Sequence, residues 1–227
     1  MRRKHNRASR LLQCGRLLVS DPQAYRGRWL SAAAGDLSVA QPFRELRVEL
    51  GCGKGRFTVE SAKAEPDVLF VALEKNADVL VIALERAVSE GLNNALFILG
   101  FADDMTDYFA PEEVSRIYIN FCDPWPGNRH LKRRLTCARF LDLYTESLKP
   151  GGEILFKTDN LSLFEFSLRE FKACGFDMCS VEYDIHSTGL GSVMTDYEAK
   201  FHEMGLPILQ CIAKRGEKPF PEVYASV

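Results

Sequence analysis

The chain has 227 residues, of which 46% are hydrophobic and 26% are charged, and its formal net charge is -2 at pH 7. These values are ordinary for a globular protein and allow one α/β domain with a full core. They disfavour a protein that binds nucleic acid over its whole surface, and the apolar runs are too short to span a bilayer.

The first twenty residues are basic and contain no acid; their cations are Arg2, Arg3, Lys4, Arg7, Arg10 and Arg16. No apolar run follows these charges, which disfavours a secretory signal. A mitochondrial transit peptide is the rival interpretation, although the segment is short and lacks a clear amphipathic run. We therefore expect a flexible basic arm over residues 1–20 and a single domain over residues 21–227.

Short apolar segments alternate with amphipathic ones from Leu46 onward. The pattern predicts strands at 46–50, 68–73, 95–99, 117–121, 153–157, 178–183 and 208–213. It predicts helices at 56–63, 77–90, 105–114, 134–148 and 161–174, whereas the small residues at 31–36 suggest a turn or linker. This alternation implies a mostly parallel sheet with helices on both faces.

The cysteines and histidines show no metal-binding pattern. Seven cysteines are scattered along the chain with neither disulfide nor zinc spacing, and His186 and His202 lack ligand spacing. We expect reduced thiols, a cytoplasmic location and no metal or membrane partner.

A glycine-rich segment, residues 51–55 (GCGKG), lies between the first predicted strand and the first predicted helix. It matches neither a P-loop nor the G-x-G-x-x-G dinucleotide pattern. Glu49 precedes it in the strand, and Glu74 ends the next strand, where an acid can accept hydrogen bonds from ribose hydroxyls. Glu49 suits a cationic group. S-adenosylmethionine has both a ribose and a cationic amino-acid end, while NAD binding and a purely structural turn are the alternatives.

The segment 117–134 (IYINFCDPWPGNRHLKRR) starts as a strand and then turns. Pro124 and Pro126 cannot continue a strand, so Asp123 lies in a stiff turn. The cations after this turn could bind phosphates; they are Arg129, His130, Lys132, Arg133 and Arg134. A solvated basic helix start is the alternative. Trp125 either stacks on a base or supports the turn.

Four segments in this order resemble the bacterial tRNA (guanine-N7)-methyltransferases: 49–57, 123–134, 157–160 and 195–198. The similarity runs from the basic arm nearly to Lys214. It implies a class I S-adenosylmethionine-dependent methyltransferase fold, which is Rossmann-like with a mostly parallel seven-stranded sheet. It also implies methylation of guanine N7 in the variable loop of tRNA, with S-adenosylmethionine as donor. It leaves open whether the protein is a monomer or a homodimer.

The resemblance assigns roles to individual residues. It places Asp123 at the catalytic centre, and the donor site would comprise Glu49, Gly51, Gly53, Gly55, Glu74, Asp103 and Asp123. The tRNA would contact Arg129, His130, Lys132, Arg133, Arg134, Asp159, Thr195, Tyr197 and Glu198. Plain alternatives are that Asp159 caps a helix and that Thr195 caps another.

Two positions depart from the family pattern. The family usually has Lys where this chain has Gly127, and Arg129 is the nearest replacement. It tends to have an acid where this chain has Phe101, so Asp103 or Asp104 is expected to take over contact with the adenine amino group.

Three rival functions are an NAD-dependent oxidoreductase, a methyltransferase acting on an exocyclic amine, and a non-enzymatic RNA-binding protein. The first gives no reason for the DPWP turn followed by basic residues. The second class favours Asn- or Asp-Pro-Pro-aromatic turns. Donor binding would separate the third from an enzyme.

Overall fold

The computed structural model describes residues 10–11, 13–39, 42–185 and 193–216. Its centre is one seven-stranded sheet with the order β3-β2-β1-β4-β5-β7-β6. The strands are β1 Glu45–Leu50, β2 Val68–Glu74, β3 Ala95–Leu99, β4 Val114–Asn120, β5 Leu148–Thr158, β6 Asp177–Glu182 and β7 Leu209–Lys214. Strands β1 to β5 pair in parallel, and β7 is antiparallel to β5 and β6. The predicted mostly parallel seven-stranded sheet is confirmed.

Helices cover the sheet, and the described chain contains α1 Trp29–Asp36, α2 Arg56–Ala64, α3 Ala77–Ser89, α4 Met105–Tyr108, α5 Ala138–Ser147, α6 Leu161–Ala173 and α7 Asp196–Glu203. Short 3-10 turns occupy Pro22–Tyr25, Ala102–Asp104 and Asn128–Arg133. All seven residues of β2 are buried, as expected for a parallel strand covered on both faces. Asn76 and Asn160 begin α3 and α6, because each side chain accepts a hydrogen bond from a backbone N–H in the first turn.

The strand order reverses between β1 and β4, since the chain runs outward through β2 and β3 and then returns to β4. The carboxyl ends of β1 and β4 therefore diverge and leave a crevice between their loops. This is the usual ligand-binding position in an open α/β sheet.

Several predicted elements were wrong in extent or type. Residues 31–36 are not a linker but part of α1, which is held by the fully buried Trp29; its indole donates to the carbonyl of Tyr108 at 2.9 Å. The predicted helix at 105–114 stops at Tyr108, and Val114 already begins β4. Glu112, in the loop between them, has φ +59°, which no α-helix accommodates.

The predicted helix at 134–148 begins only at Ala138, and strand β5 starts directly after it. The Lys-Pro-Gly-Gly segment at 149–152 lies inside this strand rather than in a free turn. Only a glycine at position 152 allows the backbone to pack this closely, because an added Cβ would lie 2.8 Å from the carbonyl oxygen of Lys149 and 3.1 Å from that of Ser115.

The second half of the predicted N-terminal arm packs against the sheet. The backbone N–H of Val19 donates to Phe97 in β3, and the N–H of Phe97 donates to Leu17, at 2.9 and 2.8 Å. Cys14, Leu17 and Val19 are buried. This segment covers the edge strand β3, while residues 1–9 lie outside the described residues.

Candidate active site

The glycine loop, residues 51–55, follows β1 and leads into α2. Gly51, Gly53 and Gly55 have φ values of +78°, +57° and +75°, a region that side chains with a Cβ rarely adopt. An added Cβ at Gly55 would lie 2.6 Å from the Cβ of Ala83, so this glycine also lets α2 approach α3. At Gly51 and Gly53 an added Cβ would meet no described atom within 4 Å. A ligand can therefore approach the backbone of the loop closely at these two glycines.

Glu74 holds the loop from the next strand. Its Oε2 accepts from the N–H of Gly53 at 3.0 Å, and its Oε1 accepts from the N–H of Asn76 at 2.9 Å. The side chain lies at the wall of the larger cavity described below. Each carboxylate oxygen can accept a second hydrogen bond, which leaves Glu74 able to bind a hydroxyl group there.

Glu49 lies beneath the loop and is almost fully buried. It accepts hydrogen bonds from the Thr58 hydroxyl and, at 3.0 Å, from the Asn120 amide. Burial raises the pKa of Glu49, whereas the two hydrogen bonds and the positive charge of Lys157 act in the opposite direction. The carboxylate borders the smaller cavity, where it would favour a cationic ligand.

Lys157 and Glu198 form a buried ion pair beside Glu49. The Lys157 Nζ lies 3.0 Å from Oε2 of Glu198, and the side chains are 2% and 1% exposed. Burial lowers the pKa of Lys157, and the charge of Glu198 opposes this shift. The pair joins β5 to the first turn of α7.

Two cavities of about 530 and 290 Å³ flank the glycine loop. The larger one is bordered by Glu74, Lys75, Phe101, Asp103, Asp123 and Arg133, among others. The smaller one is bordered by Glu49, Gly53, Arg56, Asn120, Thr195 and Tyr197, among others. Gly51 and Phe121 border both, so the two cavities are halves of one crevice around the carboxyl ends of β1 and β4.

Asp123 stands at the mouth of the larger cavity in a strained turn. Phe121 and Trp125, on either side of it, have φ values of +53° and +40°, which non-glycine residues rarely adopt. The guanidinium of the buried Arg134 donates to the carbonyls of Pro124 and Trp125 at 3.0 and 3.3 Å, and so holds the turn in this shape. Asp123 itself is exposed, and its Oδ2 lies 3.4 Å from the Nζ of Lys75.

The comparisons with known proteins decide the family. A family described as "Putative methyltransferase" matches residues 44–211. The tRNA (guanine-N(7)-)-methyltransferase of Geobacillus kaustophilus (strain HTA426) is 46% identical over 87% of this chain and 88% of its own length. That of Clostridioides difficile (strain 630) is 41% identical over 94% of this chain and 98% of its own. The chain belongs to the tRNA (guanine-N7)-methyltransferase family.

The crystal structure of the 16S rRNA methyltransferase KamB has the same fold, with a TM-score of 0.60, 15% identity, and coverage of 82% of this chain and 94% of that one. The methyltransferase therefore has the class I methyltransferase fold that the resemblance implied.

The basic residues between positions 129 and 134 of the methyltransferase differ in their exposure to solvent. Arg129, Lys132 and Arg133 are exposed, and the Arg133 guanidinium lies 3.7 Å from the centre of the Trp125 ring. Arg134 points inward instead and stacks over Phe166 at 4.5 Å. The half-buried Trp125 is thus held by Arg133, and the half-buried His130 lies beside it with ring centres 6.2 Å apart.

The structure distinguishes the two acids after β3. Asp103 borders the larger cavity and accepts from Arg139 at 2.6 Å. Asp104 instead accepts from the Tyr108 hydroxyl at 3.0 Å. Phe101 is 56% exposed and borders the same cavity. Asp103 is therefore the better placed of the two for contact with an adenine.

Gly127 has a structural reason for departing from the family pattern. Its φ is +87°, so a Lys at this position would be strained in the present turn.

The segment 195–198 begins α7. The Thr195 hydroxyl accepts from the N–H of Glu198 at 2.9 Å, so the simple alternative, a helix capped by Thr195, is confirmed. Tyr197 is exposed and packs on Phe121 with ring centres 5.0 Å apart. Asp159 is exposed nearby, and the alternative that it caps α6 is wrong because Asn160 does so.

The sequence interpretation missed Lys75 and Arg139, which add positive charge to the larger cavity. The position of Lys75 directly after Glu74 was a usable signal, whereas Arg139 lay in a stretch predicted to be an ordinary helix.

Among the residues that the structure describes, no group of three or more His, Cys, Asp and Glu side chains could hold a metal ion. His186 lies outside these residues, as does the side chain of His202. Within the described ranges, none of the helices has the length and apolar character that a membrane span requires.

Proposed function

We propose that this methyltransferase uses S-adenosylmethionine to methylate N7 of a guanine in the variable loop of tRNA, with Asp123 as the catalytic residue. The observation that carries the proposal is the arrangement of three acids around one crevice. Glu49 and Glu74 flank the open glycine loop, and Asp123 borders the larger cavity from the loop after β4.

The crevice fits the donor's chemical groups. Glu74 can accept from ribose hydroxyls, and Asp103 can accept from the adenine amino group. Buried Glu49 places negative charge at the smaller cavity, where a cationic amino-acid end would be stabilised. When bound, S-adenosylmethionine supplies an electrophilic methyl group on a sulfonium.

The residues present suit a reaction that needs no general base. Guanine N7 carries a lone pair and no proton, so the N–C bond can form as the C–S bond breaks, without proton transfer. The protein's task is then to align the two reactants. The guanine becomes cationic during transfer, and the carboxylate of Asp123 would stabilise that charge. Asp123 can also accept from the N1 and N2 hydrogens of guanine.

A localised positive surface beside the crevice suits tRNA. Arg129, Lys132 and Arg133 are exposed in the segment that follows Asp123, although the whole chain has a net charge of -2. Cations that bind phosphates locally can orient an RNA without making the whole protein basic. Tyr197 and Asp159 would face the same RNA from the neighbouring side of the crevice. A tRNA substrate also agrees with the cytoplasmic location expected from the cysteine content.

The test is methylation of unmodified tRNA with methyl-labelled S-adenosylmethionine, followed by nucleoside analysis. We expect label in 7-methylguanosine within the variable loop, and a tRNA whose variable-loop guanines are replaced by adenine serves as the control. Label on an exocyclic amine, or equal labelling of the control tRNA, would refute the assignment. An absence of donor binding by calorimetry would favour a non-enzymatic RNA-binding protein.

A further inference from the structure

Glu198 lies in the same four-residue segment as Thr195 and Tyr197, but its side chain points into the protein. Its two carboxylate oxygens lie 3.3 and 3.0 Å from the Nζ of Lys157, and the carboxylate side chain is 1% exposed. Its backbone N–H is bound by Thr195. In this arrangement Glu198 has no open path to a large RNA, whereas Tyr197 is 45% exposed.

Lys157 connects this pair to the centre of the sheet. It lies near the carboxyl end of β5 and is paired in register with Asn120 of β4, whose amide donates to Glu49. The described chain thus places Glu49, Lys157 and Glu198 in one buried polar cluster directly under the smaller cavity.

We propose that Lys157 and Glu198 are positioning residues, which fix Thr195 and Tyr197 over the crevice so that Glu198 acts on tRNA binding without touching the tRNA. This inference rests on the proposed function, since it takes the segment 195–198 as part of the tRNA site. It revises the role that the family resemblance implied for Glu198.

The need for such an anchor follows from the size of α7. A helix of eight residues is too short to be stable by itself and depends on tertiary contacts. Its other described links lie nearer the surface. Asp196 pairs with Arg86 at 3.0 Å and with Arg56 at 3.9 Å. The exposed Tyr197 contacts the half-buried Phe121. Removal of one partner of the buried pair should therefore loosen the whole first turn, because the other charge is left buried and unpaired.

The pair can be removed without changing the charge beneath the cavity. Glu49 and Glu198 contribute two negative charges when ionised, and Lys157 contributes one positive charge. Replacing Lys157 alone leaves a buried carboxylate without its partner, which is strongly unfavourable. Replacing both residues with apolar ones of similar volume leaves Glu49 as the remaining charge of the cluster and removes the unpaired group.

The experiment is a double-mutant cycle with Lys157→Met, Glu198→Leu and the double variant. For each protein we would measure kcat and the KM for tRNA, donor affinity by calorimetry, and the melting temperature. We expect each single change to raise the KM for tRNA by about tenfold or more, and the double variant to recover most of this loss because the two changes are coupled.

A control uses the half-buried Arg116–Glu153 ion pair, which joins the first half of β4 to the middle of β5 at 2.6 Å. The Arg116→Met/Glu153→Leu variant should lower the melting temperature without raising the KM for tRNA. A similar rise in this control would show that the KM reports general loss of stability.

Two results would overturn the proposal. The first is a folded double variant as defective in tRNA KM as Glu198→Leu, because Glu198 would then contact the tRNA itself. The second uses Glu198→Gln, which keeps one acceptor for Lys157: a raised KM with unchanged hydrogen exchange of the α7 amides would show that Glu198 acts without moving the segment. Failure of the wild-type enzyme to methylate tRNA would instead refute the proposed function.

Discussion

Asp123→Asn tests the proposed chemistry most directly. The turn around Asp123 is held by Arg134 through the carbonyls of Pro124 and Trp125, so the substitution should keep the backbone unchanged. Asn retains one acceptor oxygen, but it loses the negative charge and adds an N–H₂ group that would oppose the N1 and N2 hydrogens of guanine.

The size of the effect depends on how far tRNA excludes water from this carboxylate. Opposite charges about 4 Å apart attract by about 1 kcal/mol in water and about 4 kcal/mol at the effective permittivity of a protein surface. The Asp123 side chain is 63% exposed in the free protein, and a bound tRNA would cover it. An intermediate value of about 2.7 kcal/mol corresponds to a methyl-transfer rate about a hundredfold lower.

The assay is single-turnover methylation of tRNA at saturating donor, with donor affinity measured by calorimetry. Donor affinity should change much less than the rate, because Glu49 and Glu74 are the acids proposed to bind the donor. A variant that transfers methyl groups at nearly the wild-type rate would show that Asp123 is only a structural residue of the turn.

Three further substitutions test the remaining parts of the site. Glu74→Ala should weaken donor binding by about 1–3 kcal/mol in calorimetry, because hydrogen bonds to the ribose and to the glycine loop are lost; unchanged affinity in a folded variant would remove Glu74 from the donor site. Arg133→Gln should weaken tRNA binding and reduce the slope of its salt dependence by about 1, because Arg133 is exposed and would bind a phosphate. The control is Arg134→Gln, which should chiefly lower the melting temperature because Arg134 is buried. Equal salt slopes for the wild type and Arg133→Gln would contradict a phosphate contact. Asp103→Ala should weaken donor binding more than its neighbour Asp104→Ala, which loses a hydrogen bond to Tyr108. The opposite order would exchange their roles.

The acids of the site show how a local pattern can reveal a functional position. Glu49 and Glu74 are recognisable because each belongs to a strand next to a loop whose glycines require left-handed backbone. The carboxyl ends of parallel strands meet at one edge of the sheet. Two acids that each lie near the carboxyl end of such a strand are therefore expected to lie close together. The prolines around Asp123 act in the same way, since they end a strand whatever the rest of the fold does.

Tertiary packing decided the direction in which each neighbouring side chain points. Arg133 and Arg134 are adjacent and chemically identical, yet one covers Trp125 at the surface and the other is buried against Phe166. Tyr197 and Glu198 divide in the same way between the crevice and the interior.

The sequence alone determined the alternating strands and helices, the glycine loop and the proline-bounded turn, because these depend on periodicity and on the backbone limits of single residues. Only the tertiary structure showed that residues 31–36 form a helix around Trp29, that residues 17–19 cover β3, and that Lys157 binds Glu198. These features depend on contacts between distant parts of the chain. Burial of a charged or aromatic side chain is favourable only when another element supplies its partner, and no local pattern specifies that partner.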